Sequence, residues 1–110
     1  MTTFLVANIK VTNDRWIPTY AAQVHEIVAR HGGKYLSRSA NIMAIEGPQP
    51  DFTVVALVQF PSSEALQAFI KDPEYAPLAR ARQEGSECVL YAIDDTDATG
   101  AIPYLPKSAA

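Results

Sequence analysis

The sequence lacks the residues on which several common protein classes depend. Cys88 is the only cysteine among 110 residues, so no internal disulfide can form and the chain fits a reducing compartment. Its 9 Lys and Arg residues are outnumbered by 12 Asp and Glu, which leaves a net charge of −3 and no basic field for nucleic acid. No apolar run is long enough for a signal or membrane segment. We therefore expect a cytoplasmic protein with neither nucleic-acid nor membrane partners.

Motifs for metal, phosphate or nucleophilic chemistry are also missing. His25 and His31 are the only histidines, and their spacing places them about 240° apart around a helix, which does not suit chelation of one metal. The chain has no glycine-rich phosphate loop, no nucleophile elbow and no Cys-x-x-Cys pair. Cys88 has apolar neighbours in the sequence, which favours a buried, inert thiol. We expect no metal and no cofactor.

What the sequence does contain is a long apolar strand that leads into a capped helix. From Phe52 to Phe60, apolar side chains occupy both the even and the odd positions. The odd positions include Val55 and Leu57, and the even ones are Phe52, Val54, Ala56, Val58 and Phe60. Successive strand residues face opposite ways, so this pattern predicts a strand that is dry on both faces. A small antiparallel sheet usually has one wet face. Something must therefore cover each side.

The residues before this strand predict a strand, a helix and a second strand. Phe4–Val11 is apolar and β-branched. An amphipathic helix is expected from about Trp16, after the capping residues 12–14, to Gly32-Gly33. Lys34–Glu46 reads as a less regular strand, whose small polar middle, residues 37–41, suggests a bulge that re-aims it. The turn signal at residues 47–51 predicts a hairpin with the long apolar strand.

The residues after it predict a helix that is interrupted and then resumes, followed by a last strand. Ser62 is the expected N-cap of the helix. Asp72-Pro73 then predicts a restart, with Asp72 as the cap and Pro73 in the first helical position, and the helix continues to Gly85. Ser86–Ile93 is the last predicted strand. The element order is therefore βαββαβ.

This order predicts an α+β, ferredoxin-like fold, with a four-stranded antiparallel sheet and two helices on one face. The other sheet face would remain apolar and bare, with residues such as Val55 or Leu57 exposed, which a monomer does not usually tolerate. We expect a homodimer in which two such faces meet, forming a dimeric α/β barrel. The domain is predicted at residues 1–94. The tail, residues 95–110, is expected to pack on the partner subunit, to fold over its own sheet or to be disordered.

Several stretches resemble one known family. They are GGKYLSRSANIMAIEG, then VALVQFPSSEALQAFIKDPEYAPLARAR and a final strand, of which FPSSEALQAFIKDPEYAPL is the most specific part. Over Phe4–Asp94 the chain is similar to the DUF1330 family of small dimeric α/β-barrel proteins. That family usually has Gly-Gly after the arginine of the second strand, where this chain has Ser39-Ala40. The resemblance implies a ferredoxin-like protomer and a dimeric barrel, and it implies no reaction.

A few side chains are candidates for a site. Arg38 stands in a small, uncharged strand segment, so it could hold a carboxylate or enolate oxygen, or else form an ion pair with an acid such as Glu46, Glu64 or one from the partner chain. An aromatic pocket between helix and sheet could be lined by Trp16, Tyr20 and Tyr35, although core packing is an equal or better role for Trp16 and Tyr20. The catalytic candidates are Arg38, His25 and Tyr20, with a structural role as the alternative for His25.

Three function classes remain open from the sequence. The first is a small ligand-handling or metal-free enzyme domain, acting on a small anionic or carbonyl-bearing molecule. The second is a non-catalytic ligand-binding or structural dimer. The third, haem binding, requires His25 or His31 to face the pocket as a ligand of the iron. A cavity near Arg38 and Tyr20 is the feature on which the ligand hypotheses depend.

Overall fold

The computed structural model describes residues 1–101 and 103. These residues form one four-stranded sheet and three helices. The elements are β1 (Thr3–Val11), α1 (Ile17–Arg30), β2 (Lys34–Ser39), β3 (Val54–Phe60), α2 (Ser63–Ile70), α3 (Ala76–Glu84) and β4 (Ser86–Asp94).

The strands lie in the order β2-β3-β1-β4, and every neighbouring pair is antiparallel. This is the ferredoxin-like sheet that the element order predicts, and the four predicted strands are confirmed. The two central strands align so that Leu5 faces Val58 and Ala7 faces Ala56. Directly opposite residues share a face of the sheet, so this register places the small and branched apolar residues of both strands on one side.

That side, the inner face, forms the core with the helices. The strand residues of the core alternate with half-buried ones, as expected for a sheet covered on one side. The helices contribute residues at spacings of three and four to the same core. The buried residues that pack together here are Leu5, Val24, Ile27, Val28, Val58, Phe60, Leu66, Phe69, Tyr75 and Leu78.

Helix α1 begins and ends close to the predicted residues, although its capping differs. Pro18 lies in the first turn, where a missing N–H costs no helical hydrogen bond. The N-cap position is Trp16, and no side chain caps it; Asn13 instead accepts a hydrogen bond from the backbone N–H of Arg15. At the other end Gly32 has a φ of 78°, which is the left-handed conformation that glycine supplies.

Strand β2 is shorter than predicted and its bulge lies earlier. The strand ends at Ser39 rather than Glu46, and residues 40–53 form the whole connection to β3 instead of a five-residue turn. The pairing slips at Leu36, between Tyr35 opposite Val58 and Ser37 opposite Leu57. The small polar residues after Arg38 do not form the bulge. They end the strand, since Ser39 Oγ accepts a hydrogen bond from the backbone N–H of Asn41.

The predicted interruption of the helix is confirmed, but the helix resumes at Ala76 rather than at Asp72-Pro73, so the two helices on the inner face become three. Ser62 caps α2 as predicted, accepting from the N–H of Ala65. Asp72 and Pro73 belong to a turn in which Asp72 accepts a hydrogen bond from the N–H of Glu74. Helix α3 begins only at Ala76, with Pro77 in its first turn. A second proline downstream therefore sets the start of the helix.

The outer face of the sheet remains open in the single chain. Val6 lies opposite Leu57 on one side and Tyr91 on the other, and Tyr91 is 50% exposed. β3 was predicted to be covered on both faces. In the single chain the helices cover its inner face, and its outer face is uncovered. None of the described helices is long and apolar enough to cross a membrane. The prediction for the packing of the tail, residues 95–110, falls largely on residues 102 and 104–110, which lie outside the described part of the chain.

Candidate functional site

A cavity of about 280 Å³ lies between the inner sheet face and the helices. Its walls are mostly apolar and come from β1, β3, α1 and the segment around α3. Of the described residues that line it, only Arg38 and Arg82 carry a charge, and no acidic residue does. Within this part of the chain, the inner face of an acidic protein therefore borders a cavity whose charged groups are both positive.

Arg82, on α3, forms the buried end of this cavity. The residue is 4% exposed, and its Nη2 donates a hydrogen bond of 3.3 Å to the hydroxyl of Tyr75. Its Nε is buried and has no hydrogen-bond partner among the described residues. Within that same part of the chain, Arg82 forms no ion pair with a carboxylate. A buried guanidinium without a counter-charge is costly, because burial removes its hydration and the bond to Tyr75 replaces only part of it.

Tyrosine hydroxyls lie next to this guanidinium. Burial, and then the neighbouring Tyr75, raise the pKa of Tyr20 far above its ordinary value. Its phenol therefore keeps its proton well into the alkaline range and can donate a hydrogen bond. Tyr75 is buried and packs its ring 4.2 Å, between centroids, from that of Phe69. This end of the cavity thus offers hydrogen-bond donors in an apolar surrounding, where such bonds are stronger than in water.

Arg38 lies at the exposed side of the cavity, on β2. Its guanidinium carbon is 5.0 Å from the centre of the Tyr35 ring, a cation–π distance. Its Nη1 forms a short hydrogen bond with His25 Nε2. Since arginine can only donate, this contact requires His25 Nε2 to be unprotonated, and Nδ1 can then donate to the carbonyl of Ala21 at 3.1 Å. His25 in this arrangement positions Arg38.

The bulge at Leu36 explains why Tyr35 and Arg38 share the inner face. Residues three apart in a regular strand point to opposite faces. The extra residue restores the alternation, so that Tyr35 lies opposite Val58 and Arg38 opposite Ala56. Burial raises the pKa of Tyr35, and the positive charge of Arg38 partly opposes this shift. Without the bulge, Arg38 would face away from the cavity.

Trp16 closes one wall. Its indole Nε1 donates a hydrogen bond of 3.1 Å to the carbonyl of Gly85, and its ring meets that of Tyr20 edge to face at 5.1 Å. A Cβ at Gly85 would collide with the indole, so the glycine at the end of α3 makes this contact available. Trp16 therefore both packs in the structure and lines the cavity, which joins its two predicted roles.

His31 and Cys88 lie outside this arrangement. His31 Nε2 is 2.7 Å from Asp72 Oδ2, and this hydrogen bond lowers the pKa of Asp72. The pair joins the end of α1 to the turn before α3. Cys88 is half-buried and its sulfur contacts the hydroxyl of Ser86. Neither residue lines the cavity.

The structure therefore places the four predicted ligand-binding residues around one cavity: Trp16, Tyr20, Tyr35 and Arg38. His25, a catalytic candidate, contacts it through Arg38. The predicted ion pair of Arg38 with Glu46 or Glu64 is absent among the described residues. Whether any of these residues binds a ligand or takes part in a reaction stays a prediction.

Sequence reasoning missed Arg82 and Tyr75. The signal was present, because these residues stand seven apart on the stripe that also carries Leu78 and Ala79. That stripe is the buried side of α3, with Leu78 and Arg82 both buried. A charge on an apolar helical stripe marks either a satisfied ion pair or a ligand site, and the structure provides no ion pair in the described chain.

Fold and cavity together define a ferredoxin-like domain with a pocket between its helices and its sheet. Within that class the family is shown by sequence. Residues 2–96 match the family model described as a domain of unknown function (DUF1330), and the chain belongs to this family. No curated protein sequence matches the chain.

Solved structures share the fold at low sequence identity. A protein of unknown function from Rhodopseudomonas palustris superposes with a TM-score of 0.73 at 17% identity, over 87% of this chain and 83% of the other. SnoaB, a cofactor-independent oxygenase from Streptomyces nogalater, gives 0.61 at 14% identity, over 87% and 94%. A dimeric ferredoxin-like protein of unknown function from Thermobifida fusca gives 0.53 at 13% identity, over 86% and 91%. These similarities establish the fold alone.

Proposed function

We propose that this protein binds a small molecule that has an apolar body and an anionic or carbonyl oxygen, and that the oxygen is held by Arg82. The buried guanidinium with an unpartnered Nε is the observation that carries this proposal. A ligand oxyanion in the cavity would supply the counter-charge that the described residues do not provide. Charge-assisted bonds from a planar guanidinium are among the stronger hydrogen bonds, and a carboxylate can accept two of them in parallel.

The size and lining of the cavity limit the ligand. Its volume of about 280 Å³ is somewhat less than twice that of an engineered apolar cavity of roughly 150 Å³ that binds benzene. One ring with a short side chain therefore fits, on the order of a dozen non-hydrogen atoms. The aromatic walls at Trp16, Tyr35 and Phe69 favour a flat body.

Binding is better supported than turnover. Tyr20 and Tyr35 keep their protons, and the accepting nitrogen of His25 is occupied by Arg38, so none of these groups is placed as a general base. The donors at Arg82 and Tyr20 could stabilise an enolate oxygen, which is how a metal-free enzyme would use the same cavity. The structural likeness to the cofactor-independent oxygenase SnoaB is a second observation that favours metal-free catalysis as the alternative function.

Haem binding has weaker support. Neither histidine lines the cavity. His25 is engaged by Arg38 and Ala21, and His31 by Asp72. A proximal ligand of the iron would have to break one of these contacts.

The proposed assembly is a homodimer through the outer sheet face. Its support is the apolar centre of that face, where Val6, Leu57 and Tyr91 adjoin, together with the dimeric state of the Thermobifida fusca relative. A bare apolar face of this kind marks an interface in a soluble protein. The site and the interface lie on opposite faces of the sheet, so each can be tested without disturbing the other.

The ligand proposal is tested by thermal melts of the protein with a panel of aromatic and aliphatic monocarboxylates. A ligand that binds only the folded state at a hundred times its Kd adds about 2.7 kcal/mol of stability. Arg82→Gln should abolish that gain, whereas Arg80→Gln, on the exposed side of the same helix, should retain it. If Arg82→Gln does not fold, Arg82→Met serves instead. A stabilising acid whose effect survives the loss of Arg82 would contradict the proposal.

A further inference from the structure

The second arginine of the cavity raises the question of which ligands it selects. Two surface cations of this protein form ion pairs: Lys10 contacts Asp51 and Glu87, and Arg30 contacts Asp72 and Glu74. Arg38 forms no such pair within the described residues, and its partners are a histidine nitrogen and an aromatic ring. Acids are plentiful in this chain, and yet none in its described part forms an ion pair with either cavity arginine. Both guanidinium groups therefore remain available to an anion.

The two arginines approach the cavity from opposite edges of the sheet. Arg38 belongs to β2, one edge strand, while Arg82 is on α3 and lies near Leu90 and Cys88 of β4, the other edge strand. Two strands separate these edges, so their backbones are about 14 Å apart. The long side chains shorten this gap, and the rings of Tyr20 and Tyr35 lie along it. A flat molecule between the guanidinium groups would contact aromatic side chains along its length.

The geometry points to a ligand with two oxygen-bearing ends, that is, a flat apolar body with a carboxylate at one end for Arg82 and a second carboxylate or carbonyl at the other for Arg38. This inference rests on the proposed function and adds the second end. Two features of the fold serve Arg38 in this role. The bulge at Leu36 turns it to the inner face, and His25 orients the guanidinium by accepting from Nη1.

The test compares two probes with the same flat cinnamate body, 4-methylcinnamate with one acidic end and 4-carboxycinnamate with two, by calorimetric titration of the full chain. We expect wild type to bind the dicarboxylate about tenfold more tightly, since Arg38 is partly solvated and its contribution is reduced accordingly. Arg38→Gln should remove this preference and leave the affinity for the methyl probe unchanged. Arg38→Lys keeps the charge and loses the planar fork, so it should keep only a small part of the preference.

The controls separate this inference from the proposed function. Lys34→Gln, an exposed charge on the outer side of the same strand, should keep the tenfold preference, which excludes an effect of net charge. Arg38 is exposed, so its variants should melt within about 3 °C of wild type. If wild type binds both probes equally, or Arg38→Gln keeps the preference, the two-ended ligand is wrong and the Arg82 site stands. If neither probe binds wild type, both proposals are wrong for flat carboxylates.

Discussion

The inner face of the sheet is covered by helices and yet holds two arginines, whereas the outer face is open in the single chain and yet carries an apolar centre. Arg82 is 4% exposed on the covered side, while Tyr91 is 50% exposed on the open side. Polar groups normally lie in water and apolar groups in the interior, so each face departs from the rule in the opposite direction. Such departures mark sites where something else is expected to bind: a ligand on the inner face and a second copy of the chain on the outer one.

The largest expected effect is on the outer face. Leu57→Asp places a charge at the centre of the proposed dimer interface, where it would be buried without a partner. We expect dimerisation to weaken by roughly a hundredfold or more, equivalent to several kcal/mol. Sedimentation at micromolar concentration should change from about twice 12.0 kDa to the monomer mass.

Ile70→Asp is the matched control for this change. Ile70 is 52% exposed and lies on α2, on the helix side of the sheet. Its replacement adds the same charge and should leave the dimer intact. A wild-type protein that sediments as a folded monomer would contradict the homodimer, and a dimer that survives Leu57→Asp would show that the interface is not the outer face.

The residues show where prediction from the sequence succeeds and where it cannot. Alternation along β1 and β3 is a local property, so the strands, their faces and the element order could be predicted. The position of the bulge depends on how β2 registers against β3, which is a tertiary contact. The sequence could therefore suggest that Arg38 and Tyr20 share a cavity, but only the register of the folded sheet places them there.

The start of α3 and the role of Arg82 were missed for different physical reasons. Asp72 and Pro73 suit a helix start, but Asp72 binds His31, which is 41 residues earlier in the chain, and that contact holds the turn in place. Local capping preferences cannot anticipate such a partner. Arg82 was visible on its helical stripe, but a buried arginine usually has an acid nearby, and only the structure shows that this one has none in the described chain.

The second prediction concerns how much the buried charge of Arg82 lowers the free energy of unfolding. Arg82→Met keeps much of the side-chain volume and removes an uncompensated buried cation. Replacement of buried ions by apolar residues is often stabilising by about 1–4 kcal/mol, and we expect about 1–2 kcal/mol here because the bond to Tyr75 is lost. The melting temperature of the ligand-free protein should rise by roughly 5–10 °C, while stabilisation by carboxylates disappears.

Arg80→Met provides the comparison, since this arginine is exposed on the same helix and its loss should change stability by less than about 0.5 kcal/mol. A clear loss of stability in Arg82→Met would mean that the guanidinium is compensated within the fold. In that case Arg82 would be a structural residue, and the contrast between the two faces would rest on the outer one alone.

The smallest effect should appear at alkaline pH. Burial raises the pKa of Tyr20, so above about pH 10, the ordinary value for tyrosine, the unfolded chain releases a proton that the folded chain retains. The stability due to the protonated phenol is thus complete below that pH and is lost as the pH rises towards the folded pKa. Each such group lowers the free energy of unfolding by up to about 1.4 kcal/mol per pH unit in this range.

Tyr20→Phe should remove one such contribution, so its denaturant-measured stability should fall less steeply than that of wild type between about pH 10 and 11. Between about pH 7 and 9 both states keep the phenol proton, and the difference between the two proteins should be constant. If the two curves remain parallel to about pH 11, the Tyr20 hydroxyl ionises normally in the folded protein, and the inner face at that point is open to water.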